Sequence, residues 1–259
     1  MDFVIGDLHG CLEAFRALLE RVGLTDDKGE WAGDDARLWL LGDYTDRGPD
    51  GIGVIELLMR LECEAEAAGG GVTALLGNHD VLLQEAYHFP HQPSGFVEDG
   101  VALSFLELWR RARGQPHDLE RLTAEHVAWL RQRPALALVG DTLLMHADRD
   151  FYLEYGSGLE EINARIGGIL ESENTEVWDR LEERFASRMA FWNGGVARAE
   201  HFLEKFGATR LVHGHTPIYS LLEESPQEVT EPLVYAGQKC INLDGCLYAG
   251  GKGFVYQLN

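Results

Sequence analysis

The sequence is poor in cysteine and lacks long apolar runs. Its four cysteines form no C-x-x-C pair and are too few for a secreted disulfide scaffold of 259 residues. No stretch reaches the roughly 18 apolar residues that a membrane span requires. The first residues lead directly into a strand-like run, without the basic and apolar regions of a signal peptide. We therefore expect a soluble, cytoplasmic protein with no membrane partner.

Basic residues are also scarce. The chain has 22 Lys and Arg against 43 Asp and Glu, which gives a formal net charge of −21. Such a field repels polyanions and disfavours long nucleic acid as a partner. A small phosphorylated substrate is not excluded, because a bound metal inverts the local field. No G-x-G-x-x-G follows the first strand-like run, which disfavours a dinucleotide-dependent dehydrogenase.

Apolar residues and glycine are plentiful. The chain is 45% hydrophobic and 10% aromatic, enough for a full core, and its 30 glycines against 8 prolines indicate many tight turns. We predict one α/β domain over residues 1–259, with helical insertions near 85–133 and 148–206.

Hydrophobic periodicity predicts alternating strands and helices in the first third of the chain. Strands are expected at 2–6, 37–42 and 72–76, with helices at 11–22 and 52–68 between them. This order indicates parallel strands joined by right-handed crossovers. Further on, we expect a loop at 88–100, helices over 101–133 and most of 148–206, a hairpin at 136–139 and 142–146, and strands at 209–213, 239–243 and 253–258.

Polar motifs stand at the ends of these strands. They are GDLHG (6–10), GDYTDRG (42–48), GNHD (77–80), MHAD (145–148) and HGHTP (213–217). Asp7, Asp43 and Asn78 follow the first three strands, so parallel pairing brings them to the sheet edge at which ligands bind. Singly, each motif could be a turn or a core histidine. Together, their carboxylates, amide and imidazoles suit a two-metal site better than a structural zinc site, which favours cysteine.

In this order the motifs resemble those of the calcineurin-like metallophosphoesterase superfamily. GDYTDRG resembles the phosphoprotein phosphatases, with Thr45 where their usual form has Val, and the surrounding stretches are similar to the Shewanella-like phosphatases. GDLHGC and the tail NLDGCLYAGG (242–250) are similar to the symmetrical diadenosine tetraphosphatases. The resemblance covers roughly 2–85, 136–148 and 209–258. It implies a layered β-sheet core flanked by helices, of the αββα type.

The resemblance also implies a dinuclear metal site. The first ion would be held by Asp7, His9 and Asp43, and the second by Asp43, Asn78, His146 and His215, with Asp43 bridging. The expected cofactors are two divalent transition-metal ions, with Mn²⁺ the expected ion in vitro and Fe, Zn, Co and Ni as alternatives.

The same family pattern implies roles in catalysis. A metal-bridging hydroxide would attack phosphorus, and His79 would protonate the leaving oxygen while Asp46 orients it. Arg47 would bind two phosphate oxygens with its planar fork. The candidate substrate-binding residues are Arg47, Asn78, His213, Arg188 and Asp244; Arg188 is one of three arginines (Arg184, Arg188, Arg198) that could supply a second phosphate contact.

Three of these positions leave alternatives open. In HGHTP, His215 aligns with the ligand, so His213 could support a ligand, contact substrate or simply be buried. Asp148 stands where many relatives carry Gly, and could repel phosphate or pair with Arg149. Asp244 could orient groups of the site or be an ordinary turn residue.

The resulting prediction is a metal-dependent phosphoric ester hydrolase. It would act on phosphoserine or phosphothreonine proteins, as serine/threonine protein phosphatases do, on phosphotyrosine proteins, or on small phosphate esters. One alternative is a dinucleoside polyphosphate hydrolase that acts on diadenosine tetraphosphate. The other is a non-catalytic metal- or phosphate-binding module, which predicts loss of His79 or Arg47, although both are present. The oligomeric state is left open.

Overall fold

Two β-sheets lie face to face between layers of helices. The computed structural model describes residues 1–258, and the predicted domain boundary at 259 lies outside them. The strands are β1 (Asp2–Ile5), β2 (Arg37–Leu40), β3 (Gly71–Ala74), β4 (Pro93–Glu98), β5 (Val101–Ser104), β6 (Leu136–Val139), β7 (Thr142–Met145), β8 (Arg210–His213), β9 (Leu233–Tyr235), β10 (Cys240–Asn242) and β11 (Val255–Leu258). The helices are α1 (Leu12–Arg21), α2 (Gly51–Ala67), α3 (Asn78–His88), α4 (Phe105–Arg111), α5 (Pro116–Arg121), α6 (Ala124–Arg131), α7 (Leu159–Leu170), α8 (Thr175–Phe185), α9 (Val196–Glu204) and α10 (Ile218–Leu222).

The first sheet has the strand order β11-β1-β2-β3. The pairs β1–β2 and β2–β3 are parallel, as the alternation of strands and helices predicts, and β11 adds an antiparallel edge. In α1 the buried residues Phe15, Leu18 and Leu19 lie three and four positions apart, which puts them on one helix face. That face packs with α2 against the first sheet.

The second sheet has the order β6-β7-β8-β10-β9. The β6–β7 pair is the predicted antiparallel hairpin, whereas β8 pairs in parallel with both β7 and β10. Large side chains of α8 and α9, including Trp178, Phe185 and Phe202, form a core with this sheet. The two sheets therefore each carry helices on one side.

A third apolar cluster joins the two sheets. It contains Val4, Leu41, Leu75, Ala137, Leu144, Val212, Ile241 and Leu243, all buried. Phe3 and Ile5 flank Val4 in β1 but pack on the other side of the sheet, in the core formed with α1 and α2. They do so because successive side chains of a strand point to opposite faces. Complete burial of a valine, leucine or isoleucine side chain contributes about 1.5–3 kcal/mol. The predicted layered α/β fold is confirmed.

The segment before residue 105 differs from the prediction. The expected loop at 88–100 contains β4, which pairs with β5 around the turn at Asp99 and Gly100, where both residues have positive φ. An Asp-Gly pair is a strong hairpin signal, but Pro93 and Gly95 hide the strand pattern before it. Strand β9 and helix α10 are also absent from the predicted elements. The assignment of 85–133 and 148–206 as insertions stays a prediction. None of the described helices combines the length and hydropathy needed to cross a membrane.

Candidate metal centre and active site

The ends of strands from both sheets converge on one buried cluster of polar side chains. Asp7 follows β1, Asp43 follows β2 and Asn78 begins α3 after β3. From the second sheet, His146 directly follows β7 and His215 lies just beyond β8. The six predicted metal ligands are each 5% exposed or less: Asp7, His9, Asp43, Asn78, His146 and His215.

Asp43 lies between two groups of histidines. Its Oδ2 is 3.4 Å from Nε2 of His9, and its Oδ1 is 3.4 Å from Nε2 of His146. Atoms that could bind a metal in His9, Asp43 and the neighbouring His79 all lie within 4.8 Å of one another, and so do those of Asp43, His146 and His215. A carboxylate with one oxygen toward each group has the geometry needed to bridge two cations.

Backbone carbonyls orient two of the histidines. Nδ1 of His9 lies 3.0 Å from the Thr45 carbonyl, and Nδ1 of His146 lies 2.8 Å from the Leu41 carbonyl. An Nδ1–H that donates to a carbonyl leaves the Nε2 lone pair free toward Asp43. Burial lowers the pKa of both imidazoles, which favours the neutral form that binds metal.

Among the buried carboxylate oxygens that have no hydrogen-bond partner in the described structure, two belong to this cluster, Oδ2 of Asp7 and Oδ2 of Asp244. The other oxygen of Asp7 accepts from the backbone N–H of His215 at 2.9 Å. Burial, together with the charges of Asp244 and Asp43, raises the pKa of Asp7, and burial raises that of Asp244 to about 6. Unsatisfied buried carboxylates are costly unless a cation lies beside them. These residues therefore fit a divalent metal site.

Asp80 ties together the turns that follow β2 and β3. Its Oδ2 accepts from the backbone N–H groups of Asp43 (2.9 Å) and Gly77 (2.8 Å), and its Oδ1 accepts from Tyr44 (3.0 Å). A Cβ on Gly77 would overlap the Asp43 side chain, so only glycine permits this approach. The sequence prediction missed Asp80, although its place at the end of GNHD was a signal.

Five residues of this region have left-handed backbone conformations. The φ angles of His9, Asp43, Asp46, Arg47 and His215 lie between 42° and 68°. Such conformations are uncommon for residues other than glycine, and strained backbone of this kind concentrates at functional sites.

His79 and Asp46 form a hydrogen-bonded pair beside the metal-ligand cluster. Nδ1 of His79 lies 2.6 Å from Oδ2 of Asp46, whose Oδ1 accepts from Nε1 of Trp109 at 2.8 Å. Arg47 donates to Nε2 of His79 at 2.7 Å and to Nε2 of His9 at 2.6 Å. Trp109 lies on α4, in a segment without a recognisable motif, and sequence reasoning missed it.

The structure separates the three candidate arginines. Arg184 pairs with Glu154 at 3.0 Å, and Arg198 donates to both oxygens of Asp150 at 2.7 and 2.6 Å. Arg188 is exposed, and its charge is close enough to lower the pKa of His215 and His146 beyond the effect of burial. Of the three, Arg188 is therefore the one near the metal ligands.

His213 and Asp148 belong to a buried network behind the ligands. The Tyr235 hydroxyl donates to Oδ2 of Asp148 at 2.7 Å and lies 2.8 Å from Nε2 of His213, which is fully buried. Oδ1 of Asp148 accepts from the backbone N–H of Met189 at 2.8 Å. This placement favours the buried alternative for His213. Among residues 1–258, Asp148 makes no ion pair with Arg149.

The sequence profile of one protein family, Calcineurin-like phosphoesterase, matches residues 3–237. The chain belongs to this family. The match confirms the resemblance drawn from the motifs and the prediction of a phosphoric ester hydrolase. It also implies divalent metal ions, in agreement with the two groups of histidine and carboxylate ligands.

Three similar proteins illustrate the range within this family. Shewanella-like protein phosphatase 2 of Arabidopsis thaliana is 27% identical to this phosphoesterase. The match covers 82% of this chain but only 65% of that relative. The symmetrical bis(5'-nucleosyl)-tetraphosphatase of Pectobacterium carotovorum is 26% identical, with 97% of this chain and 83% of that protein covered. A solved structure of a cold-active protein tyrosine phosphatase shares the fold, with a TM-score of 0.73, 21% identity, and coverage of 98% and 72%.

Tyr248 lies at the edge of the phosphoesterase site. Its ring centroid is 4.9 Å from the Arg47 guanidinium and 5.3 Å from that of Arg113, within cation–π range of both. Its ring also meets the His9 ring edge-on, with centroids 5.3 Å apart. Tyr248 follows the NLDGC stretch, but the sequence pattern alone did not single it out.

Proposed function

We propose that this phosphoesterase is a cytoplasmic two-metal phosphatase that prefers phosphoserine, phosphothreonine or phosphotyrosine in proteins and also accepts small phosphomonoesters. The pairing of His79 with Asp46, beside Arg47 and the two ligand groups around Asp43, supports this proposal most directly. It combines an oriented proton donor, a phosphate-binding fork and a place for two cations. A non-catalytic binding module has no need of the His79–Asp46 pair.

The six ligands would divide between two ions that share Asp43. The first ion would be held by Asp7, His9 and Asp43, and the second by Asp43, Asn78, His146 and His215. When bound, the ions would lower the pKa of bound water and neutralise charge on the phosphoryl group. We expect Mn²⁺ to support activity in vitro, with Fe, Zn, Co and Ni as alternatives.

The remaining residues would bind the phosphoryl group and move a proton. Arg47 would turn its fork from the two histidine nitrogens to two phosphate oxygens. Nε2 of His79 would then be free to carry a proton to the leaving oxygen, with Asp46 holding the ring through Nδ1. Oδ1 of Asn78 lies 3.1 Å from Nε2 of His146, which leaves its NH₂ group for a phosphate oxygen. Arg188 would add a second guanidinium, with Asp244 orienting these groups.

A dinucleoside polyphosphate is the second candidate substrate. The Pectobacterium relative is named for this activity, and Tyr248 beside two arginines offers a surface on which a base could stack. Trp178 and Phe185 of the insertion offer no such stacking surface, because both are fully buried in its core. A tetraphosphate also brings about four negative charges, which favours a site with more cations than this acidic chain presents.

A substrate panel on one preparation tests the choice. The enzyme is reconstituted with Mn²⁺, and kcat/KM is compared for phosphopeptides and diadenosine tetraphosphate. We expect the phosphopeptides to be hydrolysed more efficiently. An advantage of tenfold or more for the dinucleotide, worth about 1.4 kcal/mol of transition-state binding, would favour the alternative.

Metal removal tests the dinuclear centre. Chelation should abolish hydrolysis of p-nitrophenyl phosphate, and Asp43→Asn should reduce the bound metal measured by elemental analysis as well as the rate. Asp35→Asn is the matched control, because Asp35 is an exposed acid that precedes β2, whereas Asp43 follows the other end of that strand. Normal hydrolysis by exhaustively chelated protein would contradict the proposal.

A further inference from the structure

An acidic pocket lies between α8 and the β4–β5 hairpin. Its volume is about 310 Å³, and its lining residues are Gly95, Phe96, Leu108, Asp179, Glu182 and Glu183. The three acids come from α8, and no basic side chain of residues 1–258 lines the pocket. We call this feature the acidic pocket.

The carboxyl groups around the acidic pocket have few protein partners. Glu182 makes no hydrogen bond or ion pair with any described residue, and Asp179 accepts one bond, from the backbone N–H of Gly95 at 2.8 Å. On α3, which packs against α8, Glu85 is 0% exposed, and both of its carboxylate oxygens lack a partner in the described chain. Burial, with the nearby charges of Glu182 and Asp179, raises the pKa of Glu85.

A metal ion is a poor match for the acidic pocket. Within residues 1–258, only the surroundings of Asp43 bring together three or more His, Cys, Asp or Glu side chains whose metal-binding atoms lie within 4.8 Å of one another. The acids of the pocket are more dispersed, and Phe96 and Leu108 contribute apolar surface beside them. An organic cation with an aliphatic stem suits this lining, because the stem can pack on Leu108 while the charge reaches the carboxylates.

The acidic pocket adjoins the side of the active site that holds His79. The carboxyl of Glu182 interacts electrostatically with His79 and Asp43. Helix α3 carries both His79 and Glu85 and packs against α8. Because the proposed role of His79 is to protonate the leaving oxygen, the leaving group must lie on this side. In a phosphoprotein, the leaving group is the peptide.

We infer that the acidic pocket binds a lysine or arginine side chain close to the phosphorylated residue of a protein substrate. This inference rests on the proposed phosphatase function. Glu182 and Asp179 would pair with the cation, and Phe96 would present its ring to it. The excess of negative charge on the whole chain would also attract basic peptides.

Paired phosphopeptides test the inference. A series of phosphoserine and phosphotyrosine peptides is made, in which each peptide carries one arginine at a different position near the phosphorylated residue. Each of them is matched by a peptide with citrulline, the neutral analogue of arginine, at the same position. With the Mn²⁺-loaded enzyme at pH 8, we expect kcat/KM to be at least tenfold higher for the best arginine peptide than for its citrulline partner. This ratio should fall as salt increases, because exposed charges are screened.

Variants assign the preference to the acidic pocket. Glu182→Gln and Asp179→Asn should each reduce the arginine-to-citrulline ratio several-fold, whereas Glu176→Gln, an exposed acid on the same helix, should retain it. Equal kcat/KM for all peptide pairs with the unmodified enzyme would overturn the inference and leave the phosphatase function intact. If the enzyme hydrolyses none of the peptides, both the phosphoprotein function and the inference are overturned.

Discussion

Asp43 illustrates how neighbouring residues set the protonation of a single carboxyl group. Burial by itself raises the pKa of Asp43, but the positive charge that the four surrounding histidines carry when protonated lowers it below its ordinary value: His146, His79, His9 and His215. The carboxylate is therefore ionised at neutral pH, with one oxygen toward each ligand group. Asp43 therefore links the two proposed groups of metal ligands, one for each ion.

His79→Ala separates proton transfer from metal binding. As a general acid, His79 should contribute roughly 10²–10⁴-fold to the rate, so its loss should lower kcat by that factor while metal content stays unchanged. The effect should be smaller for p-nitrophenyl phosphate, whose leaving group needs little protonation. The exposed His201→Ala is the control. If the His79 variant hydrolyses an alkyl phosphate as fast as the unmodified enzyme does, the proposed role of His79 is refuted.

The two histidines of HGHTP should differ in metal stoichiometry. His215→Ala removes a proposed ligand and should weaken or empty the second metal position. His213→Ala removes a contact with Tyr235 and should leave the metal content intact, while it lowers stability or rate. Elemental analysis of both variants measures the difference. Metal loss in the His213 variant alone would shift the ligand assignment by two residues.

At the scale of elements, the site depends on turns that are bonded to one another. Each strand delivers its polar residue through a short turn, and the turns after β2 and β3 approach so closely that Gly77 cannot carry a side chain. Helix α4 also contributes, since Trp109 donates to Asp46. The proposed active site is therefore held by both the first sheet and the helices that follow it.

Asp80→Asn should loosen these turns. Asn replaces one of the two acceptor oxygens with a donor that faces backbone N–H groups, and unsatisfied buried donors cost about 1–3 kcal/mol. We expect a loss of that order in the free energy of unfolding measured with urea, together with weaker metal binding at Asp43. The exposed Asp35→Asn should change neither quantity. Equal stability of the Asp80 variant and the unmodified chain would contradict this account.

At the scale of the whole molecule, acidic residues outnumber basic ones nearly two to one, and some of the acids are buried. Burial raises the pKa of Glu182 to about 7. Between about pH 4.5 and 7 the folded chain therefore retains a proton that the unfolded chain loses, so the contribution of Glu182 to stability declines as pH rises through this window.

Glu182→Gln should make this linkage measurable, because Gln does not titrate. Near pH 4.5 the variant and the unmodified protein should be similarly stable. By pH 8 the variant should be more stable by a gap on the order of 1–3 kcal/mol. Urea unfolding across this range measures the gap, with Glu176→Gln as the control. A gap independent of pH would show that Glu182 is not held in a protonation-sensitive environment.

The sequence by itself determined the three parallel strands of the first sheet, the helices between them and the polar motifs that carry the proposed ligands. These features are local: period-two and period-3.6 patterns identify β1, α1 and β2, and short motifs mark the strand ends. Parallel pairing then places Asp7, Asp43 and Asn78 at one edge whatever the remaining structure does. For the same reason, the family resemblance could be drawn from motifs alone.

Only the tertiary structure decided which further side chains meet at the site. Trp109 reaches Asp46, and Tyr235 reaches Asp148, from segments far away in the sequence. In the sequence such residues look like ordinary core aromatics, and Glu85 looks like a solvated acid of a helix. Their partners follow from how α3, α4 and α8 pack, and that packing depends on many long-range contacts at once, which no local pattern encodes.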